Sequence, residues 1–156
     1  MNAALEEFVH QGFEYAYPGQ WQNWTPGFAC SAVISDVGLL AILTDDQLKF
    51  TSGVATNLPY SQQLVAEVGE INRGTAFGAL TLHTAPDSPM SLITYNYAVS
   101  PAWMEVDSQA SAQLIIDVIK NIPRIVNLRA EHLMTRFGGE RWPIDDGWQA
   151  ALVLVC

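Results

Sequence analysis

Three histidines, two cysteines and the adjacent acids Asp45 and Asp46 are the side chains of this 156-residue chain best suited to chemistry. Their spacing argues against it. His10, His83 and His132 fall in three different predicted elements. His132 follows Glu131 on a predicted helix, but the HExxH spacing that aims two imidazoles and a base at one zinc ion is absent. His83 lies on a predicted strand with Asp87 in the turn beyond it, the setting of an amphipathic surface histidine. Asp45 and Asp46 share a turn without the remaining ligands of a calcium loop. Cys30 and Cys156 form no CxxC pair, and Cys30 sits in an apolar run as a small core residue. Gly69, Gly74 and Gly78 fit neither phosphate-binding glycine pattern, and no GxSxG elbow occurs. The chain therefore reads as a non-enzyme that needs no metal and no cofactor.

Composition narrows the class further. A hydrophobic fraction of 49% with 15% charged residues describes a folded chain, and residues 1–156 read as a single domain. The net charge of −9 lacks the clustered Lys/Arg patch that a phosphate backbone requires, so nucleic acid is excluded as a partner. Two thiols without a disulfide framework, a start without a basic and apolar leader pattern, and no apolar run of about 20 residues point to the cytoplasm and away from a membrane.

The elements that carry these residues can be taken in order. Residues 2–11 predict a short helix with Asn2 as its cap and Gly12 as its stop. Phe13–Tyr17 then reads as a short strand, and residues 18–26 as a loop carrying Trp21 and Trp24, whose rings and N–H groups could form a binding platform. Ala29–Ser35 and Leu39–Leu43 predict two strands around an Asp36-Val37-Gly38 turn, with a third strand over Gln47–Thr51. Leu64, Val68 and Ile71 recur at helical spacing behind a cap at Asn57 or Ser61, and Gly74 suits a left-handed end. Thr75–Thr84 and Met90–Val99 predict a hairpin of antiparallel strands with apolar residues on both faces. Residues 101–106 connect, Asp107 or Ser108 caps a long helix to Phe137, and Pro123 inside it should kink or split the rod. The apolar stretch 147–156 predicts a final strand or a surface packed on a partner.

The segment LVAEVGEINRGTAFGALTLHTAPDSPMSLITYNYAVS, followed by a long helix ending in RFGG, resembles the YbjN family and the related actinobacterial TY-Chap domains. These belong to the class that includes the type III secretion chaperones. Asn72 stands at the family's asparagine, Gly78–Leu82 and Ile93–Tyr97 at its two strands, and Ser108–Phe137 at its helix, so the likeness spans Leu64 to Gly139. It implies an α+β fold with an antiparallel sheet and flanking helices, no catalysis, frequent homodimers, and capture of extended client segments on an apolar surface. The acidic charge is also similar to that of secretion chaperones.

The reading is thus a chaperone-like module that binds a peptide or protein client on an apolar sheet or groove surface. Its candidate contacts are Phe77, Tyr95, Tyr97, Trp21 and Trp24. Two alternatives stand beside it: a small-molecule binder or enzyme with a pocket between sheet and long helix, using His83 or His132, and a structural homodimerisation domain.

Overall fold

A computed structural model of the chain describes residues 3–24, 28–100 and 108–155. The expected cap Asn2, the connector with Trp103 and Met104, Asp107 and Cys156 lie outside the described residues. The elements are α1 (Ala3–Ala16), β1 (Trp21–Asn23), β2 (Phe28–Ile34), β3 (Val37–Leu43), β4 (Leu48–Pro59), α2 (Gln62–Arg73), β5 (Ala79–Thr84), β6 (Met90–Val99), α3 (Ser108–Phe137), β7 (Glu140–Arg141) and α4 (Trp148–Val155). All seven strands join one antiparallel sheet in the order β1-β2-β3-β4-β6-β5, with β7 added to β4. The fold is α+β: an open antiparallel sheet with flanking helices.

The front face of the sheet carries the main core. Leu39, Ala41, Leu48, Phe50, Ile93 and Tyr95 point from alternate strand positions toward α1, α2 and α3 and are almost fully buried. On α3, Ile115, Val118, Ile119, Ile122, Val126, Ala130 and Leu133 form the matching stripe at spacings of three and four. On α2 the stripe is Leu64, Val68 and Ile71, as the periodicity predicts, and the Ser61 hydroxyl caps the helix by accepting from the Leu64 amide at 3.0 Å.

Several local expectations fail, each for a tertiary reason. Gly12 does not stop α1, and Phe13–Tyr17 is no strand: Leu5, Val9 and Phe13 continue one buried stripe along the helix. Gly12 instead lets α1 approach α3, since a Cβ there would lie 2.7 Å from Ile115 Cγ2. The β2–β3 turn is Ser35-Asp36, both at positive φ (51° and 66°), as a two-residue hairpin turn requires. Gly74 ends α2 with φ −90°, a right-handed and not a left-handed cap. Gly78, at φ +69°, breaks the strand alternation, so β5 begins at Ala79 and Phe77 joins Leu80 on the front face. The stretch 147–156 is not a strand; its described part is the helix α4, laid across the back of the sheet.

Pro123 does not split α3, which is continuous through it. Proline offers no N–H to the carbonyl four residues back, here that of Ile119. The Tyr17 hydroxyl donates to that oxygen at 3.1 Å and lies 3.4 Å from the Lys120 oxygen. A side chain from the end of α1 thus satisfies the acceptor the proline orphans.

Candidate functional site

The five aromatic candidates do not converge. Trp21 sits on edge strand β1, while Tyr95 and Tyr97 lie on β6 and Phe77 just ahead of β5, at the opposite margin. Five strand spacings separate β1 from β5, roughly 24 Å. Phe77 and Tyr97 stack at 4.3 Å, half-buried on the front core. Tyr95 is 1% exposed and donates its hydroxyl to the Phe77 carbonyl oxygen. Burial pushes the Tyr95 phenol up to about 12, with Tyr97 adding to the shift and Arg129 opposing it. Trp21 stacks on His10 at 5.3 Å and donates to Glu14 at 2.6 Å, so it bridges β1 to α1. Trp24 leans on the small back cluster.

The histidines are equally dispersed. His132 Nε2 lies 2.6 Å from Glu67 Oε1, and Arg136 donates to Glu67 Oε2 at 2.8 Å, tying α3 to α2. The hydrogen bond from His132 is the main reason the Glu67 carboxyl lies below its ordinary range. His83 points to the back of the sheet, 2.9 Å from Thr94 Oγ1. Desolvation, assisted by Lys49, lowers its pKa. No group of three or more metal-ligating side chains occurs among the described residues. Buried Cys30 has its thiol pushed up to about 12 by desolvation, which removes the thiolate a nucleophile needs. No described helix is long and apolar enough to cross a membrane.

The back face of the sheet is the unusual part. Beneath β5 and β6 it is polar, not apolar as the hairpin pattern predicts: Thr81, His83, Thr94 and Asn96 form a hydrogen-bonded set. Beneath β2, β3 and β4 it is apolar and holds Ala29, Leu40, Trp142, Trp148 and Leu152. The indoles need flat seats, and glycines provide them. A Cβ on Gly38 would lie 2.6 Å from Trp148 Cζ3, and one on Gly53 would fall within the Trp142 indole.

Helix α4 is seated by one face, which carries Trp148, Gln149, Leu152 and, less completely, Val155. Trp148 is buried, Leu152 fully so, and Gln149 donates to Ser31 Oγ at 3.4 Å. Its outward face is apolar as well, with Val153 38% and Leu154 86% exposed. A cleft of about 250 Å³ lined by His83, Met90, Leu92 and Val155 flanks it on one side. Another of about 280 Å³, lined by Ile42, Lys49 and Val153, opens beside it. Val33 and Ile144, also exposed, border the first turn of the helix around Trp148 and Gly38. The apolar stretch was the available sequence signal for this surface; the glycine seats had none.

No described protein family matches the chain, and no curated protein matches it. Among solved structures it is similar to the crystal structure of YbjN from E. coli, with a TM-score of 0.47 and 13% sequence identity over 77% of this chain and 92% of that one. At that identity the likeness concerns the fold alone.

Proposed function

We propose that this protein is a non-enzymatic, chaperone-like binding module that holds an apolar segment of a client protein against the back of its sheet, alongside α4. The observation that carries the reading is Leu154, 86% exposed on a helix with no charged residue, beside two clefts that expose the sheet. An exposed apolar ridge beside grooves suits a peptide that inserts its own side chains while covering the ridge. The dispersal of the histidines and the suppressed Cys30 thiolate agree with a role that makes no bonds. The acidic surface favours clients with basic flanks over nucleic acid. Phe77 and Tyr97 remain a second, smaller contact at the far margin, reachable only by a client that continues around β5.

The test is an array of purified apolar and polar peptides, with binders mapped by amide chemical shifts on labelled protein. Apolar peptides should perturb Met90, Leu92, Val153 and Leu154, and Leu154→Asp should abolish the response while the circular dichroism spectrum stays unchanged. Shifts confined to Phe77 and Tyr97, or equal binding to Leu154→Asp, would sink the assignment. A concentration-dependent self-association in the absence of peptide, lost in Leu154→Asp, would instead make the surface a homodimer contact.

A further inference from the structure

A further opening lies on the other side of the molecule, where the end of α1 and the β2–β3 turn meet the middle of α3. It is a cleft of about 310 Å³ whose walls include Tyr17, Ile34, Ser35, Lys120, Arg124 and Asn127. Lys120 and Arg124 stand four residues apart on α3, so both project over one face of it.

Among the described residues neither is matched by a carboxylate. The chain has 16 acids and 7 Lys/Arg residues, so a carboxylate partner should be easy to find. Arg73 pairs with Glu70, Arg136 and His132 with Glu67, and Arg141 with Glu131, whereas neither Lys120 nor Arg124 is in any of these ion pairs. Two of the acids nearby are engaged elsewhere. Glu14 accepts from Trp21 Nε1, and Asp117, a turn earlier on α3, accepts from Gln113. The Lys120 ammonium rests 4.8 Å above the Tyr15 ring, a contact it can exchange for an anion.

The rest of the cleft is fixed in place. Asn127 donates to the Ser35 carbonyl oxygen at 3.4 Å, and Arg141 donates to Asn127 in turn. Tyr17 is held by the Ile119 oxygen and can still accept through its own. Pro123 and Ile34 supply an apolar wall.

We propose that this cleft binds a small organic anion, its carboxylate or phosphate held by Arg124 and Lys120 and its apolar body against Ile34 and Pro123. A guanidinium suits a planar oxyanion through two parallel N–H bonds, and the ammonium adds a point charge. The volume admits a ligand of about the size of benzoate, not a macromolecule. The inference is independent of the client surface on the back of the sheet.

The experiment titrates labelled protein with three probes: benzoate, inorganic phosphate and cyclohexylamine. Benzoate should shift the amides of Tyr17, Ile34, Ser35, Arg124 and Asn127 with saturation, and cyclohexylamine should not. Phosphate alone matching benzoate would mean that the charge dominates and the apolar wall contributes little. Arg124→Gln and Lys120→Gln, both at exposed positions, should each weaken benzoate about tenfold or more. Shifts that persist unchanged in Arg124→Gln, or that spread equally to Arg73 and Arg136, would overturn the proposal. So would the absence of any saturable shift.

Discussion

Replacing Tyr17 with phenylalanine tests how α3 survives its internal proline. The substitution removes one hydroxyl that donates to Ile119 at 3.1 Å and leaves the ring in place. An ordinary hydrogen bond contributes about 0.5–1.5 kcal/mol net, and an acceptor left buried without a partner costs about 1–3 kcal/mol. The bond is longer than the usual O–H···O distance and half-buried, so Tyr17→Phe should destabilise by about 1–2 kcal/mol. For a chain of this length that is a fall of roughly 3–6 °C in melting temperature. The decisive measurement is a double-mutant cycle with Pro123→Ala, followed by urea unfolding. Alanine restores an N–H four residues after Ile119, so the hydroxyl becomes redundant and Tyr17→Phe should then cost less than about 0.5 kcal/mol. The absolute effect of Pro123→Ala mixes helix propensity with lost packing, but the cycle cancels both. An equal cost of Tyr17→Phe in the two backgrounds would show that the hydroxyl does not replace the missing amide.

Asn72→Ala should cost about 2 kcal/mol, because its side-chain amide donates to and accepts from Leu80 at 2.9 and 2.8 Å, and hydrogen exchange at Leu80 should accelerate with it. Gly53→Ala should destabilise by about 2–3 kcal/mol and shift the tryptophan fluorescence to the red, since the new methyl displaces the Trp142 indole. His83 has its pKa depressed by desolvation and then by Lys49, so the unfolded chain binds the proton first. Its contribution to stability is therefore full above the ordinary imidazole value of about 6.5 and is lost as pH falls through the lower folded value. His83→Gln should flatten the stability profile as pH falls below about 6.5, and an NMR titration of the ring should give a midpoint below the ordinary one.

Patterns carried by single elements were legible in the sequence, and patterns that need two elements were not. Leu64, Val68 and Ile71 announce α2 because the stripe, the Ser61 cap and the front core agree. The strand pair around residues 35–36 is legible to within two residues, because the turn chemistry is local. Gly12 misleads: a glycine after a helical run resembles a stop, but its real partners, Ile115 and Ile119, lie a hundred residues away. Gly38 and Gly53 are mute for the same reason, as each is a seat for an indole from beyond residue 140. The apolar stretch 147–156 is ambiguous in principle, since a short run of Ala, Leu and Val carries no period that separates strand from helix. What decides is the space left on the back of the sheet, which no local pattern records. The aromatic candidates fail to converge because alternation assigns a face, while strand order assigns a margin.

The outward face of α4 sets a lower limit on what can bind there. Fully burying one leucine is worth about 1.5–3 kcal/mol, and Val153 has only a part of its surface left to bury. Association costs at least about 4 kcal/mol before any contact counts, so Leu154 and Val153 cannot hold a client by themselves. A specific interface needs about 800 Å² from each partner, roughly a tenth of the 8118 Å² that this chain exposes. The footprint of the proposed client would therefore have to continue past α4, through the cleft that leads to Met90 on one side and toward Ile144 and Val33 on the other. The polar floor of Thr81, His83, Thr94 and Asn96 then has a definite effect. Its side chains hydrogen-bond to one another and offer little apolar area, so in the proposed mode the ridge and the two clefts drive binding. A client that meets this surface should lose most affinity with Leu154→Ala and measurably less with Met90→Ala or Val33→Ala. Equal losses at all three would mean a flat contact without an anchor, contrary to the prominence of Leu154 at 86% exposure.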